Sequence, residues 1–163
     1  MKKVDIIFYL YNYFKALYLI IFHLYCNNFS KRKILYLLTL QYYYNYRLRY
    51  KNYLNIEPLL INFLKTKKNN KTQMDFIDIN CIVELLSSVS YKSSCYTKAF
   101  LKTKLLIEHR YIPTFYIGYK KNDNNFEAHS WISIVLEGTP VVLDANLMLH
   151  KQYTILYKWE GVE

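Results

Sequence analysis

The sequence predicts an α+β fold, with helices in its first half followed by a cysteine-bearing helix packed on an antiparallel β-sheet. Three observations carry that expectation. Apolar residues recur at helical spacing from Cys95 through Ala99, Leu101, Leu105 and Leu106. Beyond Pro113 the period changes to alternation, in segments rich in the aromatic and β-branched residues that favour strands. A cysteine, a histidine and an aspartate (Cys95, His129 and Asp144) then fall at the start of the helix, inside one strand pattern and at the end of another.

The first half reads as helices. Residues 6–25 are almost continuously apolar or tyrosine, long enough to span a bilayer, but Asn12, Lys15 and His23 interrupt them. A mid-helix lysine costs about 3 kcal/mol on insertion scales, so a buried or interfacial helix is expected instead. Ser30-Lys31-Arg32-Lys33 starts a segment running through Ile34, Leu35 and Leu38, and residues 42–53 interleave tyrosines with Arg47, Arg49 and Lys51. A helix over residues 58–64 ends in the lysine-rich loop 65–71.

In the second half, Ser93 or Ser94 is a ready N-cap for a helix starting at Cys95 and ending near residues 108–110, before Pro113. Residues 114–119 form the first strand, 120–125 a polar hairpin loop and 128–135 the second strand. The chain turns at residues 137–140 into a third, 141–144. A two-residue turn at Glu137-Gly138 makes Asp144 face Trp131, diagonal to His129; an odd-length loop or a bulge puts it on the other face.

A thiol attacks as thiolate, so it needs a base and positive potential, and the base needs an orienting group. The start of a helix supplies roughly half a positive elementary charge, and Cys95, His129 and Asp144 supply the remaining parts. Trp131, on the same strand face as His129, either shields the imidazole or fills the core. Cys26 and Cys81 read as inert packing cysteines. His23, His109 and His150 make no metal-ligand spacing with them, so neither metal nor cofactor is expected.

At 163 residues, one domain with a sizeable core is expected. Three cysteines without a secretory cleavage pattern point to the reducing cytoplasm. Residues 1–72 hold 13 Lys and Arg against 2 acids, while residues 73–163 hold 9 against 10, so the net charge of +10 belongs to the first half. We read 1–72 as a basic, tyrosine-rich helical region, either part of the same domain or an extension facing a partner or a membrane, and 73–163 as the core. The basic half suits an acidic protein, a peptide or anionic lipid. No recognised binding motif accompanies it, so nucleic acid is not an expected partner.

Five short segments stand in a particular order: Ser94-Cys95-Tyr96-Thr97-Lys98-Ala99, Arg110-Tyr111-Ile112-Pro113, Ile117-Gly118, Ala128-His129-Ser130-Trp131 and Gly138-Thr139-Pro140-Val141. Together they resemble the leader-peptidase half of lasso-peptide B proteins, the C-terminal domain of microcin-processing proteins, grouped with transglutaminase-like cysteine enzymes. The resemblance runs from about residue 82 to residue 157. It implies a papain/transglutaminase-like fold with Cys95 as nucleophile, His129 as general base and Asp144 as the residue orienting the base. Ala-His-Ser-Trp stands where Ala-His-Ala-Trp is common, and the stretch after Gly138 is longer than usual by a residue or two, which makes Asn146 the alternative third residue.

The activity implied is hydrolysis of one peptide bond in a ribosomally made lasso-peptide precursor. Full-length members add a winged-helix module that binds the leader as an extra strand. Residues 1–72 have no such strand-rich stretch, which implies the protease half of a split pair that needs a separate leader-recognition protein. The freed amine would pass to an ATP-dependent lasso cyclase; this chain, with three glycines, has no Gly-rich phosphate loop. Two other classes stay open: a transglutaminase-like acyltransferase, and a non-enzymatic basic scaffold at a membrane.

Overall fold

The computed structural model of the chain describes residues 31–50, 56–65, 74–89, 93–122, 125–143 and 149–161, together with Tyr11, Phe14, Lys15 and Tyr18, which are helical. At residues 31–34, 45, 47–50, 89, 122 and 149 the description is of the backbone alone. The described helices are α1 (Lys31–Tyr50), α2 (Glu57–Lys65), α3 (Phe76–Val89) and α4 (Cys95–Glu108). The strands are β1 (Pro113–Asn122), β2 (Asn125–Leu136), β3 (Thr139–Val142) and β4 (Thr154–Glu160), with a 3₁₀ turn at Leu149–Gln152. They form one antiparallel sheet in the order β3-β2-β1-β4.

Local chemistry explains most boundaries. In α2, Glu57 lies in the first turn and Lys65 in the last, each matching the helix dipole, and Pro58 sits in the first turn where its missing N–H costs nothing. The hairpin between β2 and β3 is a two-residue turn with positive φ at both Glu137 (49°) and Gly138 (78°), whose twist matches that of the flanking strands. Leu136 therefore pairs with Thr139 and Ser133 with Val142. That register continues to Leu143, whose N–H bonds the Ile132 carbonyl at 2.9 Å. Asp144 and Asn146 lie outside the described residues.

Helix α3, the 3₁₀ turn and strand β4 add to the expected elements. α3 buries Ile79, Ile82, Val83 and Leu86 at i, i+3, i+4 and i+7, a helical signature present in the sequence. β4 is less legible because its pairing with β1 shifts register between Ile117 and Gly118, leaving consecutive Ile155 and Leu156 both exposed. The β1–β2 hairpin also extends further than expected, to Asn122 and Asn125. No helix among the described residues is long and apolar enough to cross a membrane; residues 6–25 lie largely outside them.

The expected apolar stripe on α4 is in fact a helix buried all round, every residue from Ala99 to Ile107 included. Helices α1, α2 and α3 pack on it from one side and β1 and β2 from the other. Aromatic rings join these layers, with Phe100 of α4 at 5.0 Å from Phe63, 5.4 Å from Tyr44 and 6.0 Å from Phe115. Residues 37–44 of α1 thus share the core through Leu37 and Tyr44.

A helix buried on every side needs partners for its charges. Lys102, 3% exposed, places Nζ 2.7 Å from Glu84 Oε1 and 3.2 Å from the Leu143 carbonyl, while Lys98 bonds Glu84 Oε2 at 2.7 Å. Lys104 pairs with Glu108 at 2.5 Å, over the Phe63 ring. Burial alone would raise the Glu84 carboxyl, but the Lys102 charge and hydrogen bonds from both lysines outweigh it and hold the group below its ordinary value.

Lys102→Met should therefore lower stability at neutral pH by about 3 kcal/mol, the low end for a broken buried pair because Lys98 remains. A depressed carboxyl contributes stability above its unfolded pKa and loses it as pH falls through the folded one. The difference between mutant and wild type should accordingly narrow in acid, as measured by urea unfolding across pH.

Candidate active site

The site is built at the start of α4. Of the two candidate caps, Ser94 takes the role, with extended backbone (φ −89°, ψ 158°) and an Oγ that accepts the Thr97 N–H at 3.1 Å. Cys95 is consequently the first helical residue, at the positive end of the dipole. Ser93 turns elsewhere: its Oγ accepts from Gln41 Nε2 of α1 at 3.1 Å.

Across the interface, β2 presents His129. A hydrogen bond joins the Cys95 sulfur to the His129 imidazole, and the sulfur also accepts the backbone N–H groups of Ser130 and Tyr96. Strand topology explains the Ser130 donor. β3 pairs with β2 only from Ser133 to Leu136, and Leu143 extends the contact to the Ile132 carbonyl. Two residues further along that edge, Ser130 directs its N–H the same way, towards the position the sulfur occupies.

Burial by itself pushes the Cys95 thiol up. The His129 hydrogen bond, the Ser130 amide, the His129 charge and the Tyr96 amide together outweigh it, so the thiol lies below its ordinary value. Cys81, exposed on α3, goes the other way: partial burial and then the Asp78 and Glu84 charges raise it. Of the two described cysteines, Cys95 is the one whose surroundings favour the thiolate.

His129 is held by rings. Its imidazole lies nearly parallel to Trp131 (5.9 Å between centroids, 17°) and 5.1 Å from Tyr153, while Trp131 stacks on Tyr116 (5.3 Å, 8°). Trp131, 4% exposed, both shields one side of the imidazole and fills the sheet face away from α4. Gly118, opposite His129 in register, makes room for it: a Cβ there would meet Trp131 at 2.8 Å and Tyr153 at 2.9 Å. A glycine inside a strand signals such close approach, yet only the fold identifies the group approaching.

The structure thus brings Cys95 and His129 together. Asp144 and its alternative Asn146 are not among the described residues, nor are His23 and Cys26. His109 closes α4 and accepts the Met74 N–H on Nδ1 at 3.0 Å, and His150 lies 6.2 Å from Trp131 in the 3₁₀ turn. No group of three potential metal ligands occurs among the described residues. The Ser130 amide, Gly118, Tyr153 and Gln41 were not singled out as parts of the site by sequence pattern, because each reaches it through tertiary packing.

A helix-start thiol bonded to a strand imidazole, on an α+β scaffold, defines the class as proteins with a cysteine-histidine site. The chain belongs to the transglutaminase-like superfamily, whose family model matches residues 48–158. That superfamily generally carries cysteine-dependent catalysis and includes peptidases and acyltransferases. No curated protein and no solved structure matches the chain. The family match starts within α1, so Leu37, Gln41 and Tyr44 precede it although all three are buried.

Iodoacetamide should alkylate Cys95 faster than Cys81 at neutral pH, and the Cys95 rate should reach half its plateau at lower pH. Peptide mass mapping over a pH series measures both, and His129→Ala should remove the difference. Gly118→Ala should cost about 1–3 kcal/mol as an overpacking substitution and slow Cys95 alkylation by displacing Trp131 from His129; chemical denaturation and the same alkylation assay report the two effects.

Proposed function

We propose that this protein is a cysteine peptidase that removes the leader from a lasso-peptide precursor, acting with a separate leader-recognition protein and ahead of an ATP-dependent cyclase. The observation that carries the peptidase reading is the hydrogen bond between Cys95 and His129 at the start of α4. The finer assignment is supported by where the five shared segments fall: the start of α4, the step into β1, the β1 glycine under Trp131, the histidine of β2 and the β2–β3 turn.

In this mechanism His129 takes the Cys95 proton and the thiolate attacks the carbonyl carbon before the cleavage point. The oxyanion is met by the Cys95 amide at the helix start. The C–N bond breaks as the imidazolium protonates the departing amine, leaving a thioester on Cys95. Water, deprotonated by His129, attacks the thioester and returns the thiol with a free carboxylate on the leader. By the family resemblance Asp144 orients the imidazole, with Asn146 as its rival.

The charge of the first half fits this arrangement. Thirteen cations against two acids in residues 1–72 favour docking onto an acidic recognition protein or its bound leader, chiefly through faster encounter. Such docking weakens with salt, because the screening length is only about 8 Å near physiological ionic strength.

Mass spectrometry of a precursor incubated with this protein and the recognition protein tests the reading. Cys95→Ala should abolish cleavage while retaining the fold, and Asp144→Ala should impair it far more than Asn146→Ala, by up to about 10⁴-fold in turnover as for triad orienters. Cleavage should fall when the recognition protein is omitted or salt is raised. Undiminished cleavage by Cys95→Ala would remove the peptidase assignment.

A further inference from the structure

Gln41 is a buried amide that the cysteine chemistry described above does not use. It is 1% exposed, yet its side chain makes two hydrogen bonds: Nε2 donates to Ser87 Oγ of α3 and to Ser93 Oγ, both at 3.1 Å. Its Oε1 is buried with no hydrogen-bond partner among the described residues. A buried unpaired oxygen carries a desolvation cost of roughly 1–3 kcal/mol, so the residue is poorly suited to adding stability. The placement of its two donors is what distinguishes it.

Ser93 immediately precedes Ser94, the N-cap, which in turn precedes Cys95. Fixing the Ser93 hydroxyl fixes the direction in which the chain enters α4, and with it the first turn that carries the sulfur. Two turns into the helix, Lys102 ties α4 to Leu143, whose N–H is bonded to the His129 strand. The thiol-bearing turn is therefore held between a tie from α1 in front of it and a tie to the sheet behind it.

We propose that Gln41 is a positioning residue for Cys95. Through one buried amide, helix α1 holds the Ser93-Ser94 turn so that the sulfur meets the His129 imidazole and the Ser130 N–H. Gln41 lies outside the stretch matching the superfamily, so this chain recruits a residue beyond that stretch to set the geometry of its thiol. Ser93 is the group the amide positions, and the bond to Ser87 of α3 is not part of that tie.

The inference rests on the activated Cys95–His129 pair but not on any particular substrate. The experiment is iodoacetamide alkylation of the full chain over a pH series, with Cys81 as internal reference, for wild type and for Gln41→Met, Ser93→Ala and Ser87→Ala. Gln41→Met preserves the shape and removes the unpaired oxygen together with both donors. It and Ser93→Ala should each slow Cys95 alkylation about tenfold at neutral pH, the effect of raising a thiol pKa by about one unit, with the half-plateau moved to higher pH. Ser87→Ala should leave the Cys95 rate within about twofold of wild type, even where its melting temperature falls. Wild-type alkylation by Gln41→Met or by Ser93→Ala, or equal slowing by Ser87→Ala, would overturn the positioning role. Should Gln41→Met fail to fold, Ser93→Ala against Ser87→Ala decides the matter. If wild-type Cys95 reacts no faster than Cys81, it is the activated pair that fails, a result distinct from any ratio between variants.

Discussion

The structure depends on placing a sulfur bonded to an imidazole at one end of a helix that is otherwise buried. From Ala99 to Ile107, α4 has no solvent face. Burial favours its apolar residues, at about 25 cal/mol per Å² of apolar surface, and works against everything polar that it carries. A thiolate in that setting is possible only because the helix start supplies unpaired amides, and because β2 brings an imidazole and a backbone N–H to the same point. Each of the other layers contributes to holding that meeting point.

The same constraint explains the buried lysines. Lys98 and Lys102 both reach Glu84 of α3, and Lys102 also holds the Leu143 carbonyl where the chain leaves β3. In a sheet whose edge strand is only four residues long, that tie fixes the end of β3 against the helix bearing Cys95. The short β3 has a second consequence, since it leaves the Ser130 N–H to be taken by sulfur instead of by a neighbouring strand.

On the opposite face of the sheet, rings take over the work of position. Tyr116, Trp131, His129 and Tyr153 form a chain of contacts between 5.1 and 5.9 Å, possible because Gly118 has no side chain to intrude. Aromatic stacking of this kind restricts the tilt of the imidazole without using either of its nitrogens. The imidazole is thereby held from its flat side while it bonds the Cys95 sulfur.

Much of this was legible in the sequence, for identifiable reasons. Helical spacing after Cys95, alternation after Pro113 and the Glu137-Gly138 turn are local properties, set by side-chain sterics and backbone dihedral preferences over a few residues, and α4, β1, β2 and β3 follow from them. A serine cap at 93 or 94 and Cys95 as first helical residue follow as well, because capping acts within one turn, and the structure selects Ser94. β4 is hidden by a bulge that breaks its alternation, whereas α3 is marked in the sequence by the period of Ile79, Ile82, Val83 and Leu86. What the tertiary structure alone decided is which groups meet across long chain separations. The Ser130 amide reaches the sulfur, Gln41 the turn before it, Lys102 the end of β3 and Gly118 the Trp131 ring, in each case because burial leaves a polar group or a gap that only a distant part of the chain can satisfy.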